Sequence, residues 1–128
     1  MTMKPDRVSD LIPFLHVADV ERSIAFYQQL GFEVDDTYEL NGRLDWASMR
    51  AGSAALMLAR AQGPIEPRGG RHFLYAADLA GLRERLIQTG SEPPEIEDGT
   101  PGPKKEMSIC DPDRHLLTIA EIEEAGAA

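Results

Sequence analysis

At 128 residues, with 42% apolar and 27% charged side chains, the chain has the size and composition of one globular domain with its own hydrophobic core. A formal net charge of −9 argues against nucleic acid as a partner, because phosphate binding needs a basic face. No apolar run approaches the ~20 residues of a membrane helix, and the single cysteine, Cys110, excludes an internal disulfide and a cysteine zinc site, so a reducing cytoplasm is expected.

Met1 to Asp10 is charged and lacks the apolar segment of a secretory leader. Leu11 to Val17 reads as a strand whose Pro13 marks an edge or an irregular start. Ala18-Asp19 offers a helix cap, and Val20 to Leu30 follows with Val20, Ile24, Tyr27 and Leu30 on one face. Gly31 stands where a C-cap glycine belongs. Phe32 to Leu40 and Leu44 to Arg50 read as strands joined by a hairpin turn at Asn41-Gly42, and Ala54 to Ala59 as a fourth strand.

Gln62 to Gly70, with two prolines and three glycines, is a linker, and beyond it the pattern restarts. His72 to Ala77 is a strand, Asp78 a cap, Leu79 to Thr89 a helix with Leu82 and Leu86 inward, and Gly90 a C-cap. Ser91 to Ile96 is a weak strand holding two prolines, and Gly99 to Pro103 a loop beside Lys104 and Lys105. Lys105 to Cys110 and Leu116 to Ile122 are strands around the turn Asp111-Pro112-Asp113-Arg114, and a polar tail follows from Glu123.

The halves superimpose at an offset of 59 residues, placing Phe14-Leu15 on Phe73-Leu74, Ala18-Asp19 on Ala77-Asp78, and Gly31 on Gly90. The expected fold is therefore α+β: two βαβββ modules (10–61 and 71–122, with linker 62–70 and tail 123–128) forming a curved mixed sheet around a concave groove. Strand alternation puts Leu11, Leu15, Val17, Leu56 and Leu58 under the helices, and Ile12, Phe14, His16 and Met57 on the concave side. In the second module it assigns His72, Leu74 and Thr118 to the concave side, opposite Phe73, Tyr75, Leu117 and Ile119.

The helix entry Val17-Ala18-Asp19-Val20-Glu21-Arg22-Ser23-Ile24-Ala25-Phe26-Tyr27, the Leu30-Gly31-Phe32 stop, and Asp111-Pro112-Asp113 followed by His115-Leu116-Leu117 resemble the vicinal oxygen chelate superfamily. That superfamily holds glyoxalases, bleomycin-resistance proteins and extradiol dioxygenases, and the resemblance spans roughly residues 10 to 122. It implies four metal-ligand positions, one on each of four strands, which here fall on Ile12, Met57, His72 and Thr118. Only His72 is a good ligand for the divalent ions involved, so no metal and no cofactor are expected. A rearranged site of His16, His72 and Glu106 is the alternative, and would make the chain a metal-dependent lyase, isomerase or dioxygenase.

The resemblance is nearest to the metal-free bleomycin-resistance branch, where two chains pair and build clefts across their interface. It implies a homodimer that sequesters a small aromatic or cationic compound, with ligand contacts expected at Phe14, His16, Trp46, Met57, His72, Glu106 and Thr118. No catalytic set is legible. Cys110 is expected to be a small buried residue, and Arg114 stands where the family places glycine in a left-handed turn.

Overall fold

Each half of the chain runs strand, helix, then three strands, in a computed structural model that describes residues 6–65, 71–98 and 105–121. The first half contains β1 (Phe14–Val17), α1 (Val20–Gln29), β2 (Glu33–Leu40), β3 (Arg43–Ala51) and β4 (Ala54–Arg60). The second contains β5 (Arg71–Tyr75), α2 (Leu79–Gln88), β6 (Glu97–Asp98), β7 (Lys105–Cys110) and β8 (Leu116–Glu121). The two four-stranded mixed sheets repeat one topology, β1-β4-β3-β2 and β5-β8-β7-β6, with one parallel pair at the first two strands of each. The α+β fold expected from the sequence is the one observed, carried by two sheets.

Local chemistry sets the boundaries. Asp19 and Asp78 cap the two helices, their side chains accepting from the N–H groups of Arg22 and Gly81. Gly31 and Gly90 end them at φ values of 99° and 93°, which side chains disfavour. Asn41 and Gly42 both have positive φ, the geometry of a tight hairpin turn. The first strand begins only at Phe14, after Pro13. The strand expected over Ser91 to Ile96 is absent: Pro93 and Pro94 have no N–H to give a ladder, and their carbonyls instead accept from the Arg83 guanidinium. The loop at 99–104, most of the linker and the tail after Glu121 lie outside the described residues.

Leu15, Val17, Leu56 and Leu58 pack beneath α1 with Val20, Tyr27 and Phe32, and Leu117 from the second module joins the same cluster. Fully burying a side chain of this size is worth about 1.5–3 kcal/mol, so a core that spans both modules favours their packing strongly. Leu79, Leu86, Met107 and Ile119 form the second cluster, with Leu30 of α1 against it. The face of α1 is rotated from the expected one: Ser23 is buried with Val20 and Tyr27, whereas Ile24 is only partly so.

That rotation follows from a polar clasp. Asp113 sits in the β7–β8 turn and its carboxylate accepts from Ala18 N at 3.1 Å, Arg22 Nη2 at 3.1 Å and Ser23 Oγ at 3.5 Å. Asp111 accepts from the N–H groups of Asp113 and His115 and from Tyr27 Oη. The turn of the second module thereby satisfies buried polar groups of the first.

Candidate functional site

Register decides which side chains share a face, because directly paired residues project the same way. Phe14 pairs with Met57 and His16 with Ala59, while Trp46 pairs with Ala59 across β3. Phe14, His16, Trp46 and Met57 therefore lie together on the face of the first sheet that points away from α1. Tyr38, opposite Trp46, joins them. On the second sheet Phe73 pairs with Thr118 and Tyr75 with Ala120, and Ser108 and Glu106 pair with the same two residues from the other side. Glu106 and Thr118 thus stand on the outer face of the second sheet with Phe73 and Tyr75.

His72 does not. It pairs with Leu117, and Leu74 with Ile119, so both point toward the helices. The expected assignment of His72 to the concave side is corrected by this register, and so is that of Phe73 and Tyr75 to the helix side. The repeat itself carried the signal: at an offset of 59 residues Phe14 maps onto Phe73, and Ile12 onto Arg71.

The outer faces are rich in aromatic side chains that the chain leaves half uncovered. Phe14 is 51% exposed, Phe73 54%, and Tyr38 and Tyr75 57% each. On the first sheet a pocket of about 220 Å³ is lined by Ile12, Asp35, Asp36, Trp46, Ser48, Arg50 and Met57, and none of the described residues of the second module lines it. Asp35 accepts from Ser48 Oγ and Arg50 Nε, both at 3.4 Å, which holds one carboxylate at the pocket rim. An aromatic wall, a thioether and rim carboxylates can accept a flat ring bearing positive charge. His16 is exposed, packs edge-on against Phe14 at 5.3 Å, and accepts at its carbonyl from His115 Nε2. Thr118 is fully buried, and its hydroxyl is hydrogen-bonded to Ser108 at 2.9 Å. Cys110, expected to be buried, is exposed, because it ends β7 on the outer face with Ser108 and Glu106.

The donor set does not fit a divalent metal. With His72 on the helix side, the β5 residue on the outer face that repeats Ile12 is Arg71, a cation that would repel the ion. Ile12 has no donor atom, Met57 offers a soft thioether, and Thr118 a neutral hydroxyl already bonded. Among the described residues no three His, Cys, Asp or Glu side chains converge.

The family model for the glyoxalase/bleomycin resistance protein/dioxygenase superfamily matches residues 7–119. A bleomycin-binding protein in complex with bleomycin is 21% identical with a TM-score of 0.69, the match covering 91% of this chain and 100% of that one. A bleomycin resistance determinant encoded on the transposon Tn5 is 21% identical with a TM-score of 0.72, over 91% and 99%. A lactoylglutathione lyase from Agrobacterium tumefaciens is 20% identical with a TM-score of 0.65, over 91% and 96%. Likeness at these identities shows the fold. No curated protein sequence matches the chain.

Proposed function

Because the chain belongs to the glyoxalase/bleomycin resistance protein/dioxygenase superfamily, we propose that it is a metal-independent binding protein for a small aromatic or cationic compound, working as a homodimer in drug or toxin sequestration. The observation that carries this reading is the chemistry of the outer sheet faces. Their aromatic side chains are half exposed, and the positions where a metal enzyme of this superfamily needs ligands hold no usable donor set. A second copy laid against these faces would turn two open sheets into enclosed clefts. Phe14, Trp46 and Met57 would then supply stacking area, with His16 and Glu106 farther along the walls and Thr118 buried beneath them. Asp35 is paired with Arg50 in this pocket, which leaves Asp36 as the net charge of the rim, and in a chain of net charge −9 this favours a cation over an anion in these clefts.

The test is titration of the purified protein with bleomycin and with a panel of aromatic cations, read by Trp46 fluorescence. Saturable quenching that is lost in Met57→Lys supports the proposal; no response to any member of the panel refutes it.

The lyase among the structural neighbours gives the enzymatic reading its specific support. Metal analysis of protein purified without chelators separates the two. Stoichiometric zinc, nickel, manganese or iron, lost in His72→Ala, would establish a rearranged metal site and displace the binding-protein reading.

A further inference from the structure

Two consecutive acidic residues, Asp35 and Asp36, line the same pocket on the first sheet, which a regular strand does not allow. Val34 pairs with Met49 on the buried side, so even alternation would set Asp35 opposite Ser48 and carry Asp36 to the α1 side, opposite Ala47. The ladder slips instead: Asp36 pairs with Ser48, and Asp35 is the extra residue of a bulge. Bulges re-aim side chains and are over-represented next to active sites. This one brings both carboxylates to the outer face, beside a wall of Ile12, Trp46 and Met57.

The two carboxylates are not equivalent. Arg50 follows Trp46 and Ser48 at two-residue steps along β3, so it shares their face, and its Nε donates to Asp35 at 3.4 Å. Ser48 Oγ donates to the same Asp35 oxygen. Asp36 accepts from the Thr37 N–H at 2.8 Å and forms no ion pair among the described residues. Asp35, Asp36 and Arg50 are the charged residues of the lining, so one negative charge is left unmatched. The pocket volume of about 220 Å³ lies below the usual range for whole drug-sized ligands, about 300–1,000 Å³, and suits one flat head group.

Resting on the binding-protein reading above, we propose that Arg50 sets the charge of the ligand. By holding Asp35 in an ion pair it leaves Asp36 as the single free carboxylate, and the pocket takes an aromatic monocation in preference to a dication or a neutral molecule of the same shape. The ring lies against Trp46 and Met57 with its charge toward Asp36. A second positive charge meets the Arg50 guanidinium, and its lost hydration in a partly enclosed apolar pocket goes uncompensated. A neutral ring gains the stacking area without the charge pair.

Calorimetric titration with three probes of one shape tests this: N-methyl-4-phenylpyridinium, the dication methyl viologen, and 4-phenylpyridine in its neutral form. The parent protein should bind the monocation about tenfold tighter than either of the others. Asp36→Asn should bring the monocation down to the affinity of the neutral probe. Arg50→Gln releases Asp35 and should tighten methyl viologen by about tenfold, with a smaller effect on the monocation. Both side chains are exposed and stand outside the buried clusters, so the variants keep the core. A parent protein that binds methyl viologen or the neutral probe as tightly as the monocation would overturn the assignment while leaving the binding-protein reading intact. An unchanged ratio of dication to monocation affinity in Arg50→Gln would do the same. Failure of all three probes at about 1 mM also overturns it, and a bleomycin titration of the same sample then shows whether the binding-protein reading falls with it.

Discussion

Tyr27 Oη lies 2.8 Å from the carboxylate of Asp111, a residue 84 positions later in the chain, and both are buried. The bond ties α1 of the first module to the β7–β8 turn of the second. Burial, reinforced by the Asp111 charge and the hydrogen bond to it, pushes the Tyr27 hydroxyl well above the ordinary tyrosine range. Removing either end has unequal cost. Tyr27→Phe loses one charge-assisted hydrogen bond but leaves Asp111 with two backbone donors, so about 1.5–3 kcal/mol of stability should go. Asp111→Ala strands the buried hydroxyl and two N–H groups together and should cost more, at least about 3 kcal/mol. Urea unfolding of both single variants and the double variant measures it, and additive effects would show the pair to be uncoupled.

The same tyrosine sets an alkaline limit. In the unfolded chain it titrates near 10.0, while in the folded chain it resists ionisation to far higher pH. A group whose pKa is raised on folding gives stability that is complete below the unfolded value and lost as pH climbs above it. Stability should fall above pH 10.0 with a slope that Tyr27→Phe reduces. Equal slopes in the two proteins, followed by circular dichroism, would remove Tyr27 from the account.

Asp19 works at the other end of the scale. Its carboxylate accepts from the Arg22 N–H at 3.1 Å, and that backbone bond, ahead of nearby side-chain effects and against a small opposing burial cost, lowers its pKa below 3.8. A depressed carboxylate contributes stability above its unfolded value that disappears as pH drops toward the folded one. Part of the acid-induced loss below pH 3.8 should vanish in Asp19→Asn, which keeps a capping oxygen but cannot titrate. Asp19→Ala should lose about 1 kcal/mol at neutral pH as well. Thermal melts across the acid range distinguish the two variants.

Gly31, Gly90 and Asn41-Gly42 announced their turns because a positive φ admits few side chains, and all four residues have it. Helix caps at Asp19 and Asp78 were equally local and equally legible. Strand facing failed at β5, where alternation fixes relative but not absolute orientation. His72, Phe73 and Leu74 could slide to either side, and only the repeat or the pairing with Leu117 chooses between them. Cys110 misled for a similar reason, since a small apolar residue at a strand end is compatible with both faces. The clasp of Asp111 and Asp113 on α1 arises from contacts between residues far apart in the chain, which no local pattern encodes.

Arg114 has φ 69°, so the turn is left-handed with a side chain in place. A Cβ in this region costs about 1–2 kcal/mol, part of which a glycine would give back through the greater freedom of the unfolded chain. The Arg114 N–H donates to the Asp111 carbonyl at 2.9 Å, a bond that glycine keeps. Arg114→Gly should therefore stabilise the protein by up to about 1 kcal/mol. A fall in the urea midpoint would mean that the arginine side chain makes a favourable contribution larger than the strain.

The proposed homodimer has to draw its apolar area from the outer sheet faces. Fully covered aromatic side chains bury about 150–250 Å² each, so Phe14, Tyr38, Phe73 and Tyr75, roughly half exposed, offer roughly 300–500 Å² of apolar area per chain. A stable interface removes about 800 Å² per partner, so these rings would form its centre and polar neighbours its rim. Phe73→Lys places a charge at that centre while touching none of the buried clusters. Sedimentation should show a dimer for the parent protein and a monomer for the variant, with the variant's helix and strand content intact. A parent protein that stays monomeric at about 100 μM would refute the dimer, since a tighter interface is expected from this much apolar area. A dimer that persists unchanged in Phe73→Lys would place the interface elsewhere, and the clefts proposed around Trp46 would then have to be closed by a different surface.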